Sequence, residues 1–433
     1  MSLPPHFSYR AGHLFIEEVS VASIAERFGT PTYVYSRSAL LDAYRLYADA
    51  LQGRTARGGA MVCYAIKANS NLAILNLFAR AGAGFDIVSG GELERVLAAG
   101  GSPDKVIFSG VGKTRAEMRQ ALKVGIGCFN IESRSEAGQL SDVATSMGVK
   151  APVSLRINPD VDARTHPYIA TGLKESKFGI AYADAIQAYD EVSRLEGLSV
   201  IGIDCHIGSQ LLDDGPLLDA LDKLIDLVDA LEARGIAIAH LDLGGGVGID
   251  YGDGDSSATI DVSDYLHRVF DRVDRWRGRR HDGKPIKLLF EPGRSLVGNA
   301  GALLMRTLVL KPGITKNFAV VDAAMNDLLR PALYDAWHAM VPAKEASSAS
   351  MLTWEIVGPV CESGDWLARA RPLALEEGDL IAALSAGAYG MTMASNYNTR
   401  PRAAEVMVDG SMVHGVRDRE EARQLFAGEH LLP

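Results

Sequence analysis

Short apolar runs alternate with helical segments along the first two thirds of the chain, and this alternation constrains the fold more than any other feature. Eight runs are typical of strands, at residues 61–66, 85–88, 106–109, 128–131, 153–157, 200–205, 241–243 and 287–290. Segments with helical patterns lie between them, at residues 71–81, 91–99, 114–124, 134–147, 183–195, 216–234 and 262–276. Strands that alternate with helices predict a parallel sheet. Eight such units predict an α/β fold with a closed, TIM-like (β/α)8 barrel rather than an open doubly wound sheet.

The last third of the chain has a different pattern, with short strand-like runs separated by turns. These runs lie at residues 303–310, 318–321, 353–357, 380–383 and 404–408. They predict a second, mostly antiparallel β domain. Residues 13–16 and 31–35 are also strand-like, so we expect the start of the chain to contribute to that domain. We place the barrel at residues 30–295 and the β domain at residues 1–29 and 296–433.

Composition excludes several functional classes. Hydrophobic residues make up 47% of the chain and charged residues 23%, as in ordinary globular proteins. The net charge of −10 argues against a nucleic-acid partner or an anionic membrane surface. We find no apolar stretch long enough to span a bilayer and no secretory signal pattern, which predicts a cytoplasmic protein without membrane association. The four cysteines are far apart without a CxxC pair, so we expect neither a disulfide framework nor a metal site.

Lys67 stands at the end of the first apolar run, in the sequence YAIKAN at residues 64–69. A lysine at the mouth of a buried strand loses hydration, which favours its neutral amine. The neutral amine is the form that makes a Schiff base with a carbonyl cofactor. The alternative is a lysine whose ammonium simply reaches solvent at a strand end. This hexapeptide alone leaves both interpretations open.

Polar residues and glycines follow the other predicted strands, at the end of a barrel where active sites form. They are Asp86, Ser109, Asn158-Pro159, His206-Ile207-Gly208-Ser209, Gly244-Gly245-Gly246 and Glu291-Pro292-Gly293-Arg294. Successive glycines let backbone N–H groups approach a phosphate, although glycines also serve plain turns. A histidine can stack on a ring or serve the fold alone, and Glu291 can hold the proton of a ring nitrogen or pair with Arg294. Together with Lys67, the set favours pyridoxal phosphate, whose protonated ring takes up electrons.

Ordered motifs continue through both parts of the chain, from about residue 30 to residue 397. Those of the barrel are PTYVY at residues 31–35, YAIKAN at 64–69, THPYI at 165–169, TGLK at 171–174, KFGI at 177–180, HIGSQ at 206–210, LDLGGG at 241–246 and EPGR at 291–294. Those of the second domain are MNDLLRPALY at 325–334, GPVCESGD at 358–365 and GAYG at 387–390. In these motifs the chain resembles the diaminopimelate decarboxylases, of the alanine-racemase-like, barrel-containing class of pyridoxal-phosphate enzymes.

The resemblance implies a role for each matching residue. The catalytic residues are Lys67, which carries the cofactor, His206, which stacks on its ring, and Cys361, which donates a proton. The cofactor-binding residues are Lys67, Asp86, His206, Ser209, Gly245, Gly246, Glu291, Gly293, Arg294 and Tyr389, with Glu291 at the pyridine nitrogen. The substrate-binding residues are Arg294, Arg330, Tyr334, Glu362 and Tyr389. The resemblance also implies a homodimer in which Cys361 reaches the site from the other subunit.

The charges of these residues favour diaminopimelate over ornithine or arginine as the substrate. Diaminopimelate has a second carboxylate, and Arg294 and Arg330 can bind such a group through two hydrogen bonds each. Glu362 provides a partner for the distal ammonium, whereas in related basic-amino-acid decarboxylases an aspartate usually follows the cysteine. Without the family context, Arg330 and Tyr334 could instead be a surface pair near a turn.

The sequence therefore predicts a pyridoxal-phosphate-dependent carboxy-lyase that converts meso-2,6-diaminopimelate to L-lysine and CO₂, the last step of lysine biosynthesis. The alternatives within the class are ornithine, arginine or carboxynorspermidine as the substrate. A racemase is disfavoured, because barrel racemases lack the arginine and cysteine set of the second domain. A non-catalytic relative that only binds the cofactor is disfavoured because Lys67, Cys361 and the phosphate-binding motifs are all present.

Overall fold

The computed structural model describes residues 3–52, 59–162, 177–252, 259–278, 285–345 and 349–433, and these form two compact units. The barrel unit comprises Tyr44–Ile249 and Ala258–Ser295, and the β unit comprises Met1–Ala43, Asp250–Ser257 and Leu296–Pro433. The motifs predicted at residues 165–169 and 171–174 lie outside the described residues. Within the described ranges, no helix combines the length and apolar character needed to cross a membrane.

The strands are numbered along the chain. They are β1 (Phe7–Arg10), β2 (His13–Ile16), β3 (Val19–Ser20), β4 (Thr32–Ser36), β5 (Ala60–Ala65), β6 (Gly84–Ile87), β7 (Val106–Phe108), β8 (Cys128–Ile131), β9 (Ala151–Asn158), β10 (Ile180–Ala181), β11 (Leu198–Asp204), β12 (His240–Asp242), β13 (Lys287–Phe290), β14 (Gly301–Lys311), β15 (Asn317–Val321), β16 (Met340–Pro342), β17 (Met351–Val357), β18 (Trp366–Ala374), β19 (Leu380–Ala383), β20 (Ala404–Asp409) and β21 (Met412–Arg417).

The helices follow the same numbering. They are α1 (Val21–Phe28), α2 (Arg37–Leu51), α3 (Leu72–Arg80), α4 (Gly90–Ala98), α5 (Arg115–Val124), α6 (Arg134–Ser146), α7 (Ala185–Val192), α8 (Gly215–Glu232), α9 (Val262–Gly278), α10 (Arg294–Val297), α11 (Arg330–Tyr334) and α12 (Ala422–Leu425).

Eight parallel strands close into a barrel. Their order is β5-β6-β7-β8-β9-β11-β12-β13, and β13 pairs with β5 to complete the ring. Each of the eight strand-like runs in the sequence overlaps one of these strands. The structure therefore confirms the predicted (β/α)8 barrel. The short strand β10 pairs in parallel with the last two residues of β9 and is not part of the ring.

Both faces of the barrel strands are covered, which explains their nearly continuous apolar sequences. All residues of β6, β7 and β8 are buried. The helices that follow them begin at polar capping residues, since the side chains of Asn71, Ser89, Thr114 and Ser133 accept hydrogen bonds from the first helical turn. Each cap lies a few residues after a strand, so the loops at the carboxyl ends of the strands are short and well defined.

The β unit contains a larger sheet in the order β18-β17-β15-β14-β4-β20-β21, and a small sheet of β1, β2 and β3. Most neighbours are antiparallel, with parallel pairs only at β15–β17 and β4–β20 among the described strands. This confirms the predicted antiparallel domain. Strand β4 lies between β14 and β20 and is buried throughout. The β unit consequently extends to Ala43, past the boundary predicted at residue 30.

Candidate active site

Lys67 lies directly after β5, in a short 3-10 turn at Ile66–Ala68. Its Nζ is 2.8 Å from Oδ2 of Asp86, a fully buried residue of the neighbouring strand β6. The Lys67 side chain is 37% exposed. The desolvation expected from the sequence is therefore not found. The turn carries the lysine beyond the buried strand, to a position beside the Asp86 carboxylate.

His206 follows β11 and faces the glycine turn that follows β12. The backbone N–H of Gly245 donates a hydrogen bond of 3.2 Å to Nδ1 of His206. Burial lowers the pKa of His206 well below its usual value, and the charges of Arg156 and Lys67 lower it further. Because Nδ1 accepts a hydrogen bond, the imidazole is held neutral, with its ring in a fixed orientation.

The glycines after β12 lie too close to neighbouring backbone to carry side chains. A Cβ on Gly245 would overlap the carbonyl oxygen of Glu291. Gly246 has φ +107°, and a Cβ there would lie 2.5 Å from the carbonyl oxygen of Gly208. This close approach brings the loops after β11, β12 and β13 together. It leaves peptide groups, rather than side chains, to form this part of the rim.

The turn after β13 contacts the turn that carries Lys67. The N–H of Ala65 donates to the carbonyl of Pro292 at 3.1 Å, and a Cβ on Gly293 would lie 3.1 Å from Cβ of Ala68. Arg294 is buried and donates from Nη2 to Oγ of Ser209 at 3.0 Å. The structure therefore brings Ser209, Gly293 and Arg294 to the same region of the rim.

Glu291 belongs to a cluster of three buried carboxyl groups, with Asp204 and Asp242. Oxygens of the three groups lie within 4.8 Å of one another. Burial, the largest cause in each case, raises the pKa of Glu291 and of Asp204 well above the usual values and that of Asp242 to about 7. Oε1 of Glu291 is buried and has no hydrogen-bond partner among the described residues. Arg156 lies 3.9 Å from Asp204, and the charge of Lys67 partly offsets the rise in the pKa of Glu291.

The sequence reasoning missed Asp204, Asp242 and Arg156. Asp204 and Asp242 are the last residues of β11 and β12, and Arg156 lies near the end of β9. The available signal was their position, since each is a charged residue within an apolar strand near its carboxyl end. A charged residue in such a place needs a partner. Arg156 donates to Glu132 at 3.0 Å and lies 3.9 Å from Asp204, and Asp242 accepts from the N–H of Gly244 at 2.9 Å.

The other predicted residues lie in the β unit. Arg330 and Tyr334 are the first and last residues of α11, so their spacing of four places them on one face. Arg330 is only 6% exposed, which rules out the surface alternative for this residue, and Tyr334 is partly buried. Tyr389 has φ +55°, a value that is uncommon for residues other than glycine. Backbone conformations of this kind are found often at functional sites.

Cys361 and Glu362 are exposed in a loop between β17 and β18. The backbone N–H of Cys361 donates to Oδ1 of Asn398 at 3.0 Å, and the hydroxyl of Tyr397 donates to Oε1 of Glu362 at 2.6 Å. Asp365 accepts from the N–H of Val360 at 2.8 Å and closes the loop. The loop is therefore ordered by contacts within the β unit. The sequence reasoning gave no supporting role to Asp365, Tyr397 or Asn398.

Comparisons with known proteins identify the family. Residues 41–298 match the model of the pyridoxal-dependent decarboxylases, pyridoxal binding domain. A diaminopimelate decarboxylase of Pseudomonas fluorescens is 58% identical over 428 residues, which are 99% of each chain. The chain belongs to the diaminopimelate decarboxylase family. A family member of Vibrio cholerae is 52% identical over 429 residues, again 99% of each chain.

Solved structures of diaminopimelate decarboxylases have the same fold. One from M. jannaschii, in complex with L-lysine, is 36% identical with a TM-score of 0.93 and covers 100% of this chain and 99% of its own. One from Helicobacter pylori, also complexed with L-lysine, is 39% identical with a TM-score of 0.87 and covers 94% and 99%. The resemblance read from the sequence is confirmed.

The cofactor of this family, pyridoxal phosphate, suits the barrel residues. Oε1 of Glu291 is a buried acceptor that matches a protonated pyridine nitrogen. The peptide groups around Gly245 and Gly246 suit a phosphate, which backbone N–H groups bind well. Lys67 supplies an amine on the same rim, and the neutral ring of His206 can stack on an aromatic face.

Proposed function

We propose that this chain removes the carboxylate from the D-configured centre of meso-2,6-diaminopimelate and gives L-lysine and CO₂. The observation that carries the proposal is the presence of Lys67, His206 and Glu291 at the carboxyl ends of barrel strands, in a chain that is 58% identical to a diaminopimelate decarboxylase over 99% of its length. The L-lysine in the related solved structures corresponds to the product of this reaction.

The barrel residues bind and tune the cofactor in this proposal. When bound, pyridoxal phosphate takes up the electron pair that remains when CO₂ leaves. Lys67 attaches the cofactor, and Asp86 orients its Nζ from 2.8 Å. Glu291 holds the proton on the ring nitrogen, and His206 stacks on the ring. The phosphate is bound by Ser209, Gly245, Gly246, Gly293 and Arg294.

The residues of the β unit select and orient the substrate. Arg330 and Tyr334, together with Arg294 of the barrel unit, bind the distal carboxylate, which stays on the product, and Glu362 binds the distal ammonium. Cys361 donates a proton to the carbon that has lost its carboxylate, and Tyr389 lies against cofactor and substrate. The leaving carboxylate should contact no arginine, because such a pair would stabilise the ground state and oppose the reaction.

We further propose that the active enzyme is a cytoplasmic homodimer with shared sites. Cys361 and Glu362 are exposed in the loop between β17 and β18 of a single chain, and this exposure leaves them accessible to a partner subunit. In the dimer, each subunit would supply these two residues to the barrel of its partner.

The test is a substrate panel with the purified holoenzyme. CO₂ release is measured with meso-diaminopimelate, L-lysine, L-ornithine, L-arginine and carboxynorspermidine, and the amine product is identified by mass spectrometry. We expect release only with meso-diaminopimelate, with L-lysine as the product. Preferred release from another amino acid would replace the proposed substrate. Cofactor binding without CO₂ release from any of them would support a non-catalytic relative.

A further inference from the structure

Arg330 is held by a histidine that no sequence motif had indicated. Its Nη1 donates a hydrogen bond of 2.8 Å to Nε2 of His338. His338 is fully buried and lies between α11 and β16. Its other ring nitrogen, Nδ1, is 2.9 Å from the carbonyl oxygen of Leu384. Both nitrogens of the ring therefore have partners of known chemistry.

These two partners determine the tautomer of His338. A carbonyl oxygen only accepts, so Nδ1 must carry the hydrogen. A guanidinium only donates, so Nε2 must present its lone pair to Arg330. The ring is therefore neutral, and its role toward Arg330 is that of a fixed acceptor.

A second aromatic residue holds Arg330 from another side. The guanidinium carbon of Arg330 lies 4.7 Å from the centre of the Tyr251 ring, the geometry of a cation–π contact. The Tyr251 and His338 rings are themselves 5.4 Å apart and nearly perpendicular, at 83°. The guanidinium thus has a face fixed by Tyr251 and one N–H group directed at His338.

The position of His338 is itself fixed by the sheet of the β unit. β16 pairs with β19, and the N–H of Leu384 donates to the carbonyl of Ala339 at 2.9 Å. Nη2 of Arg371 donates to the carbonyl of His338 at 3.3 Å, and its guanidinium stacks on Trp337. The histidine is held through its backbone and through Nδ1, so Nε2 offers Arg330 a hydrogen-bond acceptor in a fixed position.

We propose that His338 is a positioning residue for substrate recognition, which acts by orienting Arg330 toward the distal carboxylate. The inference rests on the proposed function, in which Arg330 binds that carboxylate. An arginine that is already oriented loses little side-chain freedom when it binds a carboxylate, so more of the contact energy contributes to affinity.

Two substitutions separate the two nitrogens of His338. His338→Asn places an amide donor near the carbonyl of Leu384 but cannot reach Arg330. His338→Gln places an amide oxygen near the position of Nε2 and keeps the acceptor for Arg330. The ligands are L-lysine and 1,5-diaminopentane, which differ by the carboxylate that Arg330 is proposed to bind. Binding of each ligand to the holoenzyme is measured by calorimetry, with Arg330→Ala as the reference variant.

We expect His338→Asn to weaken L-lysine binding about ten-fold, from the loss of orientation of a charge-assisted contact. Binding of 1,5-diaminopentane should change less than about two-fold, because it lacks the group concerned. His338→Gln should bind L-lysine within about two-fold of the wild type. In the Arg330→Ala background, His338→Asn should have no further effect on L-lysine binding, because the residue through which it acts is gone.

A purely structural role for His338 gives a different pattern. In that case His338→Asn would weaken the binding of both ligands alike, or would weaken L-lysine binding equally with and without Arg330. Either result overturns the inference. Unchanged L-lysine binding by His338→Asn, while Arg330→Ala loses it, overturns the inference and leaves the proposed function intact. If Arg330→Ala itself binds L-lysine normally, the proposed role of Arg330 fails and the inference falls with it. Should His338→Asn not fold, a loss in His338→Gln equal to that of Arg330→Ala overturns the inference.

Discussion

At the scale of single residues, the ion pair of Lys67 and Asp86 sets the position of the reactive amine. Lysine has a long flexible side chain, and a fixed carboxylate 2.8 Å away restricts where Nζ can lie. Asp86 is fully buried within β6, so its own position is defined by the barrel. The barrel therefore directs Nζ through electrostatics rather than by desolvation.

Substitution of Lys67 tests the attachment of the cofactor. We expect Lys67→Ala to abolish decarboxylation and the covalent cofactor adduct that borohydride reduction traps in the wild type, because no other amine occupies this position. The adduct is located by mass spectrometry of proteolytic fragments. Lys123→Ala, which changes an exposed lysine of α5, is the control and should retain the adduct. An adduct on a different lysine in Lys67→Ala would contradict the assignment.

Substitution of Arg330 tests the contact with the distal carboxylate. Loss of a charge-assisted, two-bond contact costs about 1.5–3 kcal/mol, so Arg330→Ala should lower kcat/KM for meso-diaminopimelate roughly ten- to a hundred-fold. Arg369→Ala removes an arginine of the same unit whose side chain is 61% exposed, and it should change the activation free energy by less than about 0.5 kcal/mol. Equal kinetics of the two variants would remove Arg330 from the substrate site.

At the scale of elements, the sequence predicted the strands of the barrel well and those of the β unit only in part. Barrel strands are buried on both faces and follow one another at regular intervals, so each is a recognisable apolar run. β18 escaped prediction, although it has nine residues. Ala370 has φ +54° and the pairing with β17 shifts register there, which breaks the alternation. Pro372 is tolerated because β18 is at the edge of the sheet.

The site showed the same division between local patterns and long-range contacts. The positions of Lys67, His206 and Glu291 after barrel strands could be predicted because each follows an apolar run with a characteristic motif. The contact of His338 with Arg330 could not be predicted. It depends on the carbonyl of Leu384 and on the pairing of β16 with β19, which together hold the histidine ring in place. No local pattern in the sequence reports contacts between segments so far apart.

A buried histidine in the strand pair β11–β12 leads to a prediction about how stability depends on pH. His240 lies opposite Gly202 and fills the space where a Cβ of Gly202 would be. Burial, with a smaller effect of the Lys287 charge, lowers the pKa of His240 from 6.5 to about 4. Between these values the unfolded chain binds more protons at this histidine than the folded chain does. The free energy of unfolding therefore decreases as the pH falls from about 6.5 towards 4.

We therefore expect His240→Leu to lose less stability than the wild type between about pH 7.5 and about pH 5. The difference in the loss of unfolding free energy should be about 2 kcal/mol. This is the extra stabilisation that the unfolded chain gains at about pH 5 when it protonates a histidine whose pKa in the folded chain is about 4. The measurement is Tm and urea unfolding of both proteins at the two pH values. His414→Leu, at an exposed position of β21, is the control and should follow the wild type. An identical pH dependence of His240→Leu and the wild type would contradict the shift.

At the scale of the whole molecule, the proposed site residues are divided between two units. Lys67, His206 and Glu291 belong to the barrel unit, and Arg330 and Cys361 belong to the β unit. Proton transfer requires the Cys361 thiol to reach the carbon that is bound next to Lys67. A homodimer satisfies this need if the partner's loop supplies the thiol, and two-fold symmetry then builds two identical sites from two exchanged loops.

Mixing two inactive variants tests this arrangement. Lys67→Ala and Cys361→Ala should each be nearly inactive as homodimers, because every site lacks one catalytic group. In a heterodimer, one site combines the intact Lys67 of one chain with the intact Cys361 of the other, while the second site lacks both. Random exchange makes half of the dimers heterodimers, so an equal mixture should recover roughly a quarter of the wild-type activity. Subunit exchange is verified independently with differently tagged chains. Lys67→Ala mixed with wild type is the activity control and should keep half of the wild-type activity whether or not the subunits exchange. If tagged chains exchange and the two variants still recover no activity, each chain supplies its own Cys361 and the sites are not shared.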